Sequence, residues 1–314
     1  MSKSNCTGIL FFILSLCWSS CSYGQQDPLF TQYAYNKLAF NPAYAGSGER
    51  LSLDLITRFQ WVGISGAPRT ISFNAHTPLK NPRIGIGLNA YRDELGPTVN
   101  YGAMAAFAYR IPFHSTTLCF GVQAGFKYMD LNWSLLSPKD QGDPLLVNQV
   151  TNKAVPDVDF GIYYYGKRFY AGLSAKHLLQ NQMLVSSTAP TDKTSFTKLR
   201  RNFYGIAGGA VPLNSNIDFI PSILIKYIQN VPLQADFNLS FLINNLLTLG
   251  AAYRTEKALA MLIQVNVGKG FSIGYSYDIW FNTLRSFNSG SHELRIGYEF
   301  DLFHKDRMLT PRYF

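Results

Sequence analysis

The sequence predicts an all-β protein, a transmembrane antiparallel up-and-down β-barrel of about 14 strands. Apolar and polar residues alternate at period two along most of the 314 residues, which is typical of strands with two different faces. Charged residues make up only 15% of the chain, below the roughly 25% of an average soluble protein. No run approaches the ~20 apolar residues of a membrane helix. The apolar residues are therefore distributed among strands.

The alternation is clearest near the end of the chain. Phe271, Ile273, Tyr275 and Tyr277 share one face of a segment whose other face carries Ser, Gly, Ser and Asp. The predicted strands are residues 51–58, 70–77, 84–91, 99–110, 118–130, 157–165, 169–176, 202–211, 218–227, 231–241, 246–254, 258–267, 271–278 and 294–300. Several have nearly the ~9–11 residues that cross a bilayer at a tilt. Composition alone would also fit a secreted β-sandwich.

The predicted connections differ between the two ends of the strands. Links after even-numbered strands are short and contain Pro, Gly or Asn: 78–83, 111–116, 166–167, 212–216, 244–245 and 268–270. The long links all follow odd-numbered strands: 131–156, 177–201 and 279–291. Outer-membrane barrels have short periplasmic turns and longer extracellular loops. Some odd-numbered links are also short, so the asymmetry is partial, but it favours a barrel over a sandwich.

Residues 1–24 have the features of a secretory signal peptide. A basic start precedes the apolar stretch 8–18, and Ser22-Tyr23-Gly24 provides a cleavage site. We expect cleavage near Gly24. Lipid attachment at Cys21 is the alternative, although Trp18 stands where such a site usually has an aliphatic residue.

Two segments flank the predicted barrel, which spans residues 51–300. Residues 25–50 are rich in Gln, Asn, Tyr, Pro and Gly, lack alternation and form a predicted periplasmic or lumenal segment. Residues 301–314 form a basic and aromatic C-terminal tail, predicted to be periplasmic. An even number of strands places both segments on the periplasmic side.

The net charge of +9 does not indicate a nucleic-acid partner. Lys and Arg form no long run and no helical stripe, so turns and a polar lumen are their expected locations. Cleavage leaves Cys119 as the single cysteine, which excludes an intrachain disulfide and a cysteine metal cluster. Asp140, Asp143, Asp157 and Asp159 lack the spacing of a calcium loop. We expect no metal and no cofactor.

An enzymatic function is not expected either. Ser72, Asn74 and His76 have the residue types of an acyl-transfer site. Successive residues on one strand face lie ~6.6–7 Å apart, however, too far for a nucleophile–base hydrogen bond. A polar lumen face explains them better. Gly85-Ile86-Gly87 lacks the rest of a nucleotide-binding loop, and these glycines indicate a bend or the close approach of another segment.

Several charged residues fall on the inward face by alternation. They form either mutual pairs that stiffen the wall or a surface that holds an inserted peptide or plug. These candidate partner-binding residues are Asp54, Arg58, Lys176, Asp236, Asp278, Glu293, Arg295 and Glu299.

Short motifs along the whole mature chain, taken together, are typical of one known protein family. The motifs are Asp27-Pro28-Leu29-Phe30-Thr31-Gln32-Tyr33, Asn36, Asn41-Pro42-Ala43-Tyr44-Ala45-Gly46, Arg58-Phe59-Gln60-Trp61, Pro68-Arg69-Thr70, Gly85-Ile86-Gly87, Gly172-Leu173-Ser174-Ala175-Lys176-His177-Leu178, Gly250-Ala251-Ala252-Tyr253-Arg254, Gly274-Tyr275-Ser276-Tyr277-Asp278, Gly290-Ser291-His292-Glu293 and Pro311-Arg312-Tyr313-Phe314. In their order and spacing these motifs resemble the PorP/SprF family. The resemblance implies an outer-membrane protein of the type IX secretion and gliding machinery of Bacteroidetes. It implies no catalytic residues.

The resemblance also implies partners. Family members pair with a secreted adhesin, whose C-terminal domain they help export or hold at the cell surface, or connect the outer membrane to periplasmic peptidoglycan-associated proteins. We therefore expect a barrel in outer-membrane lipid that exports or anchors a secreted protein. A passive porin or small-molecule transporter is the alternative, and a soluble secreted β-protein is a weaker one.

Overall fold

The computed structural model describes residues 27–48, 50–132, 135, 154–184, 195–268 and 270–302. The predicted signal peptide, most of the predicted C-terminal tail and most of the predicted loop 131–156 lie outside these residues. None of the helices in the described ranges has the length and apolar content needed to span a membrane.

The described strands are numbered in chain order. They are β1 (Leu51–Phe59), β2 (Arg69–Pro78), β3 (Ile84–Leu95), β4 (Thr98–Pro112), β5 (Thr116–Leu131), β6 (Ala154–Gly166), β7 (Phe169–Lys176), β8 (Gln182–Leu184), β9 (Ser195–Lys198), β10 (Asn202–Gly209), β11 (Val211–Pro212), β12 (Ile217–Ile228), β13 (Gln234–Ile243), β14 (Leu247–Arg254), β15 (Ala258–Asn266), β16 (Phe271–Trp280) and β17 (Ser291–Phe300). The short helical elements are α1 (Lys37–Phe40) and the 3-10 turns Tyr33–Tyr35, Pro42–Tyr44 and Thr283–Phe287.

One sheet runs around the molecule and closes on itself. Neighbouring strands follow chain order, and the ring is completed by antiparallel pairing of β1 with β17 and of β10 with β12. Because β10 and β11 are parts of one strand interrupted at Ala210, the closed barrel has 14 strands. The predicted fold class is confirmed. The β8–β9 hairpin forms a separate small sheet within the predicted loop 177–201.

Most predicted strand positions are confirmed, with differences at the ends. The strand predicted from residue 231 begins at Gln234, because Pro232 has no N–H to donate to a neighbouring strand. By contrast, β17 begins at Ser291, three residues before the predicted start at 294. The extension follows from pairing, since Ser291 and His292 lie opposite Asp278 and Tyr277 of β16.

Side chains alternate between the inside and the outside of the barrel wall. On β17, Glu293 and Arg295 are buried inside, whereas Leu294 and Ile296 are 46% and 39% exposed outside. A single closed sheet has no second sheet to cover its outer face, so the β-sandwich alternative is wrong. The outward apolar side chains face hydrocarbon, which offers no hydrogen-bond partner to an unpaired strand.

The two rims of the barrel differ as predicted. At one end, the short-turn rim, all six connections are two to five residues long, and Leu51 pairs with Phe300 there. The other end, the loop rim, carries the long connections 132–153, 177–201 and 281–290. In outer-membrane barrels the short turns face the periplasm and the long loops face outward.

Residues 27–48, which we call the plug, lie inside the barrel. The segment folds into successive tight turns, and Asn41 begins the last of them by accepting a 2.9 Å hydrogen bond from the Ala43 backbone. Phe30, Tyr33 and Leu38 are buried against lumenal tyrosines of β6, β7 and β10. The plug therefore forms an apolar core within a polar barrel interior.

The lower part of the plug touches the barrel wall at glycines. A Cβ atom added to Gly85 would lie 2.0 Å from the Ala45 carbonyl oxygen, and one added to Gly121 would lie 2.2 Å from the Ala43 nitrogen. A side chain at either position would displace the plug backbone. The close approach predicted for Gly85 is confirmed.

We expect Gly121→Ala to weaken the seating of the plug. The added methyl would force the Ala43 backbone away, at a cost of about 1–3 kcal/mol, so the barrel should unfold at a lower temperature on semi-native gels. Gly205→Ala is the matched control, since its new Cβ would meet only side-chain atoms at 3.5 and 3.9 Å. Equal unfolding temperatures for the two variants would contradict this account.

Candidate functional site: the filled lumen and its outer vestibule

A buried ionic cluster holds the start of the plug. Arg58 donates to Asp278 Oδ2 at 2.5 Å and to Glu293 Oε2 at 3.0 Å, and all three side chains are at most 1% exposed. The backbone N–H groups of Thr31 and Gln32 each donate to a Glu293 carboxylate oxygen at 2.8 Å. Charge-assisted bonds of this kind offset the cost of burying ions. The strand carboxylates therefore bind plug backbone directly.

The ionic contacts continue around the wall. Arg254 donates to Asp236 at 3.0 Å and lies 3.5 Å from Asp278. Arg295 pairs with Asp54, and its guanidinium lies 4.9 Å from the ring centroid of Tyr35 in the plug. A cation over an aromatic face adds attraction in a desolvated site.

A second cluster surrounds Asp27 at the loop rim. Its carboxylate lies 3.0 Å from both Lys127 Nζ and His177 Nε2. The same carboxylate accepts hydrogen bonds from Asn202 at 2.7 Å and from the Tyr204 hydroxyl at 3.1 Å. Three parts of the wall, namely β5, β10 and the end of β7, thus converge on one plug side chain.

The charges around Asp27 keep it ionised. Burial alone would raise the pKa of the Asp27 carboxyl, but the nearby charges of His177, Lys127 and Lys176 outweigh burial and hold this pKa well below its usual value. The ionised form is the one that binds the surrounding donors. This cluster therefore holds the plug by a charge and not only by shape.

The eight predicted inward charges lie where alternation placed them. Asp54, Arg58, Lys176, Asp236, Asp278, Glu293 and Arg295 are buried in the lumen. Lys176 donates to the Ala39 carbonyl at 3.1 Å, so it also binds the plug. Glu299 is half-buried at the short-turn rim and pairs with Arg50 at 3.7 Å. Five of the eight side chains contact the chain's own plug. Binding of another protein by the eight residues stays a prediction.

The plug is not confined to the periplasmic side of the barrel. An even strand number places residues 25–50 on the periplasmic side, and residues 45–48 do lie near the short-turn rim. Asp27, Pro28 and Leu29 lie at the opposite end, beside loop-rim residues such as Trp61 and Trp280. The plug follows the lumen because its apolar side chains and backbone amides find partners there.

Sequence reasoning missed some of the residues that bind the plug. Lys127 and Arg254 occupy inward positions of β5 and β14, so the alternation could have identified them. His177 follows directly after β7 and gave no periodic signal. Asp27 had no such signal either, because the plug has no repeating pattern.

The polar lumen face predicted for Ser72, Asn74 and His76 is confirmed. Asn74 donates to Asn36 of the plug at 2.6 Å, and the Gly46 N–H donates to His76 Nδ1 at 3.3 Å. These side chains bind the plug and do not form a nucleophile–base pair in the structure.

Asp157 and Asp159 belong to the Asp27 cluster. Their carboxylates and His177 lie within 4.8 Å of one another. His177 contacts Asp157 Oδ2 through its ring at 2.5 Å and donates its backbone N–H to Asp159 at 2.7 Å. Protein donors thus occupy oxygens that a cation would need. Asp140 and Asp143 lie outside the described residues.

The loop rim opens into a cavity of about 440 Å³, which we call the vestibule. Its floor is the start of the plug, and its wall includes the rings of Trp61 and Trp280, whose centroids are 5.6 Å apart. The other lining residues are Asp27, Pro28, Leu29, Gln60, Pro68, Thr70, Asp93, Leu95, Glu256, Asn282 and Leu284. The vestibule is mainly apolar, with acidic groups in its wall.

A smaller cavity lies deeper in the lumen. A cavity of about 30 Å³ lies between the plug and the β12–β15 wall, lined by Tyr35, Ser222, Asn238 and Thr248 among others. Such a volume holds one or two water molecules. The plug and the inward side chains fill most of the described interior.

An apolar outer belt, a polar interior and loops on one rim define an integral outer-membrane barrel. Comparison with protein families agrees: the family described as type IX secretion system membrane protein PorP/SprF matches residues 22–298. The chain belongs to the PorP/SprF family. It is accordingly an outer-membrane protein of the type IX secretion system.

Solved structures resemble the chain in fold. The outer-membrane protein Omp33 of Acinetobacter baumannii is 7% identical, with a TM-score of 0.46 over 81% of this chain and 100% of its own. The toluene transporter TodX of Pseudomonas putida is 12% identical, with a TM-score of 0.46 over 90% and 95%. The monoaromatic hydrocarbon channel CymD is 12% identical, with a TM-score of 0.50 over 91% and 96%. No curated protein matches the sequence.

We expect Asp27→Asn to loosen the plug. The substitution removes the carboxylate that lies 3.0 Å from both Lys127 and His177 and leaves Asp157 as their remaining negative neighbour. We therefore expect a cost below the roughly 3–5 kcal/mol of a fully broken buried ion pair. Amide hydrogen exchange in peptides covering residues 27–48 should become faster, while the β1–β17 strands stay protected. Asp301→Asn, at an exposed site on the opposite rim, is the control. Unchanged exchange in Asp27→Asn would show that the cluster does not hold the plug.

Proposed function

We propose that this type IX secretion barrel is a closed anchor whose loop rim binds a secreted partner, the C-terminal domain of an exported adhesin, and helps export it or hold it at the cell surface. One observation carries the proposal: the plug fills the described lumen, while an apolar vestibule opens at the loop rim. The role is binding and not catalysis.

The chemistry of the vestibule suits an inserted protein segment. Its volume of about 440 Å³ falls within the usual range of binding pockets. Tryptophan and leucine side chains provide the desolvated centre that dominates protein interfaces. Asp93 and Glu256 place carboxyl groups in the same wall. We infer that the partner inserts an apolar segment flanked by Lys or Arg.

In this proposal the lumenal charges do not contact the partner directly. Asp27, Pro28 and Leu29 are both the first described residues of the plug and part of the vestibule lining. A partner in the vestibule would touch them and would not reach Arg58 or Glu293, which the plug covers. The predicted partner-binding residues in the lumen would then position the floor of the site.

Leu95→Glu should weaken partner binding. Leu95 is 47% exposed in the vestibule wall, and a carboxylate there would have to be desolvated when an apolar segment inserts. We expect at least a tenfold loss of the secreted protein that co-purifies with the native barrel, measured by quantitative mass spectrometry.

The matched control is Leu246→Glu, in which a leucine that is 52% exposed on the short-turn rim receives the same charge. Co-purification with this variant should change less than twofold. Equal losses in both variants, or no secreted protein with the wild type, would contradict the proposal.

The porin or transporter alternative makes a different prediction. If the barrel is a closed anchor, the plug blocks the flow of ions, so the full-length chain should give no large steady conductance in planar bilayers. A large steady conductance from the purified protein would favour the transporter and would count against a closed anchor.

A further inference from the structure

The short-turn rim carries its positive charge on one half. Lys80 and Arg83 lie in the β2–β3 turn, and Lys167 and Arg168 lie in the β6–β7 turn. All four residues are exposed. We call these residues the basic half-rim. None of the four forms an ion pair with another described residue.

The three turns of this half contain no acidic residue that could balance these charges. Residues 76–86, 111–120 and 162–172, which include the three turns of this half, contain no Asp or Glu. The other half of the rim is different, since Asp218, Glu299 and Asp301 lie there with Arg50 among the described residues. The asymmetry therefore belongs to one side of the barrel and not to the whole rim.

The pattern fits a protein better than lipid or a small anion. Lipid headgroups surround a barrel evenly, so attraction to them would favour basic residues all around the rim. The two basic turns are separated by four strand spacings, roughly 20 Å, which is too far for one small anion. Phe113 is 57% exposed in the turn between them, and Leu79 is 36% exposed beside Lys80. Apolar side chains among charges are typical of protein interfaces.

A second observation points to the same half. The end of the plug lies against the strands that carry these turns, through Gly85 of β3, Gly121 of β5 and Gly161 of β6. Arg110 of β4 donates to the Gly46 carbonyl at 2.5 Å. A molecule docked on the basic half-rim would lie directly below the place where the plug leaves the lumen.

We propose that the basic half-rim is a docking surface for a periplasmic protein that presents an acidic face. Unpaired Lys and Arg on turn tips would attract it through solvent, and Phe113 would become buried in the contact. Attraction between exposed charges is screened by salt, so the complex should weaken at high ionic strength. The basic half-rim and the vestibule lie at opposite rims of the barrel. Failure of the vestibule test would therefore not contradict docking on the half-rim.

The test uses the full-length chain in its own outer membrane, with a photo-crosslinking phenylalanine analogue in place of Phe113. Irradiation should give a discrete protein adduct, and raising NaCl from 0.05 to 0.5 M in isolated membranes should reduce it. The triple variant Arg83→Gln, Lys167→Gln and Arg168→Gln should reduce the adduct at least tenfold, because it removes three of the four charges.

A control with the same charge change is Arg69→Gln, Arg92→Gln and Lys257→Gln, at the loop rim, which should alter the adduct less than twofold. Heat-modified gel migration checks that both triple variants fold. If the half-rim triple variant does not fold, the double variant Lys167→Gln and Arg168→Gln takes its place. Adducts confined to phospholipid or to peptidoglycan fragments, equal adducts in both variants, or no adduct at all would overturn the proposal.

Discussion

The structure depends on the absence of hydrogen-bond partners for the backbone in hydrocarbon. Strands can cross a bilayer only if every edge is paired, which the β1–β17 and β10–β12 ladders achieve. Once the barrel is closed, the side chains on one face of each strand contact lipid and those on the other face are enclosed in the lumen. The enclosed face carries ions such as Arg58 and Asp278 at 1% exposure, and these must find partners inside. The plug and the facing strands provide those partners.

The strands could be predicted because their signal is local. A period of two is visible within one segment, as in 271–278, and it fixes which side chains face inward without knowledge of neighbouring strands. The inward orientation of Glu293 and Arg295 followed from this rule alone. The order of the strands in the closed sheet could then be predicted as well, because each strand of an up-and-down barrel pairs with the next strand in the chain. Proline accounts for the late start of β13.

The filling of the lumen could not be predicted in this way. Thr31 bonds to Glu293 across 262 residues, and Asp27 bonds to Tyr204 across 177. Contacts at such separations leave no periodic trace in the plug, which folds as turns. Gly85 carried one usable signal, because a glycine within a strand indicates a bend or the close approach of another segment. The structure shows that the plug approaches there.

The burial of the plug's apolar side chains favours a closed lumen, which agrees with the proposed binding sites at the rims. Phe30, Tyr33, Leu38 and Phe40 are all buried, and each large apolar side chain contributes about 1.5–3 kcal/mol when buried. Withdrawing the plug would expose all four and also uncover the ions that bind its backbone. Water entering the lumen would rehydrate those ions, but the four apolar side chains would lose their burial. Apolar burial therefore favours the closed state, and the proposed partners are placed where the plug ends, at the vestibule and at the short turns.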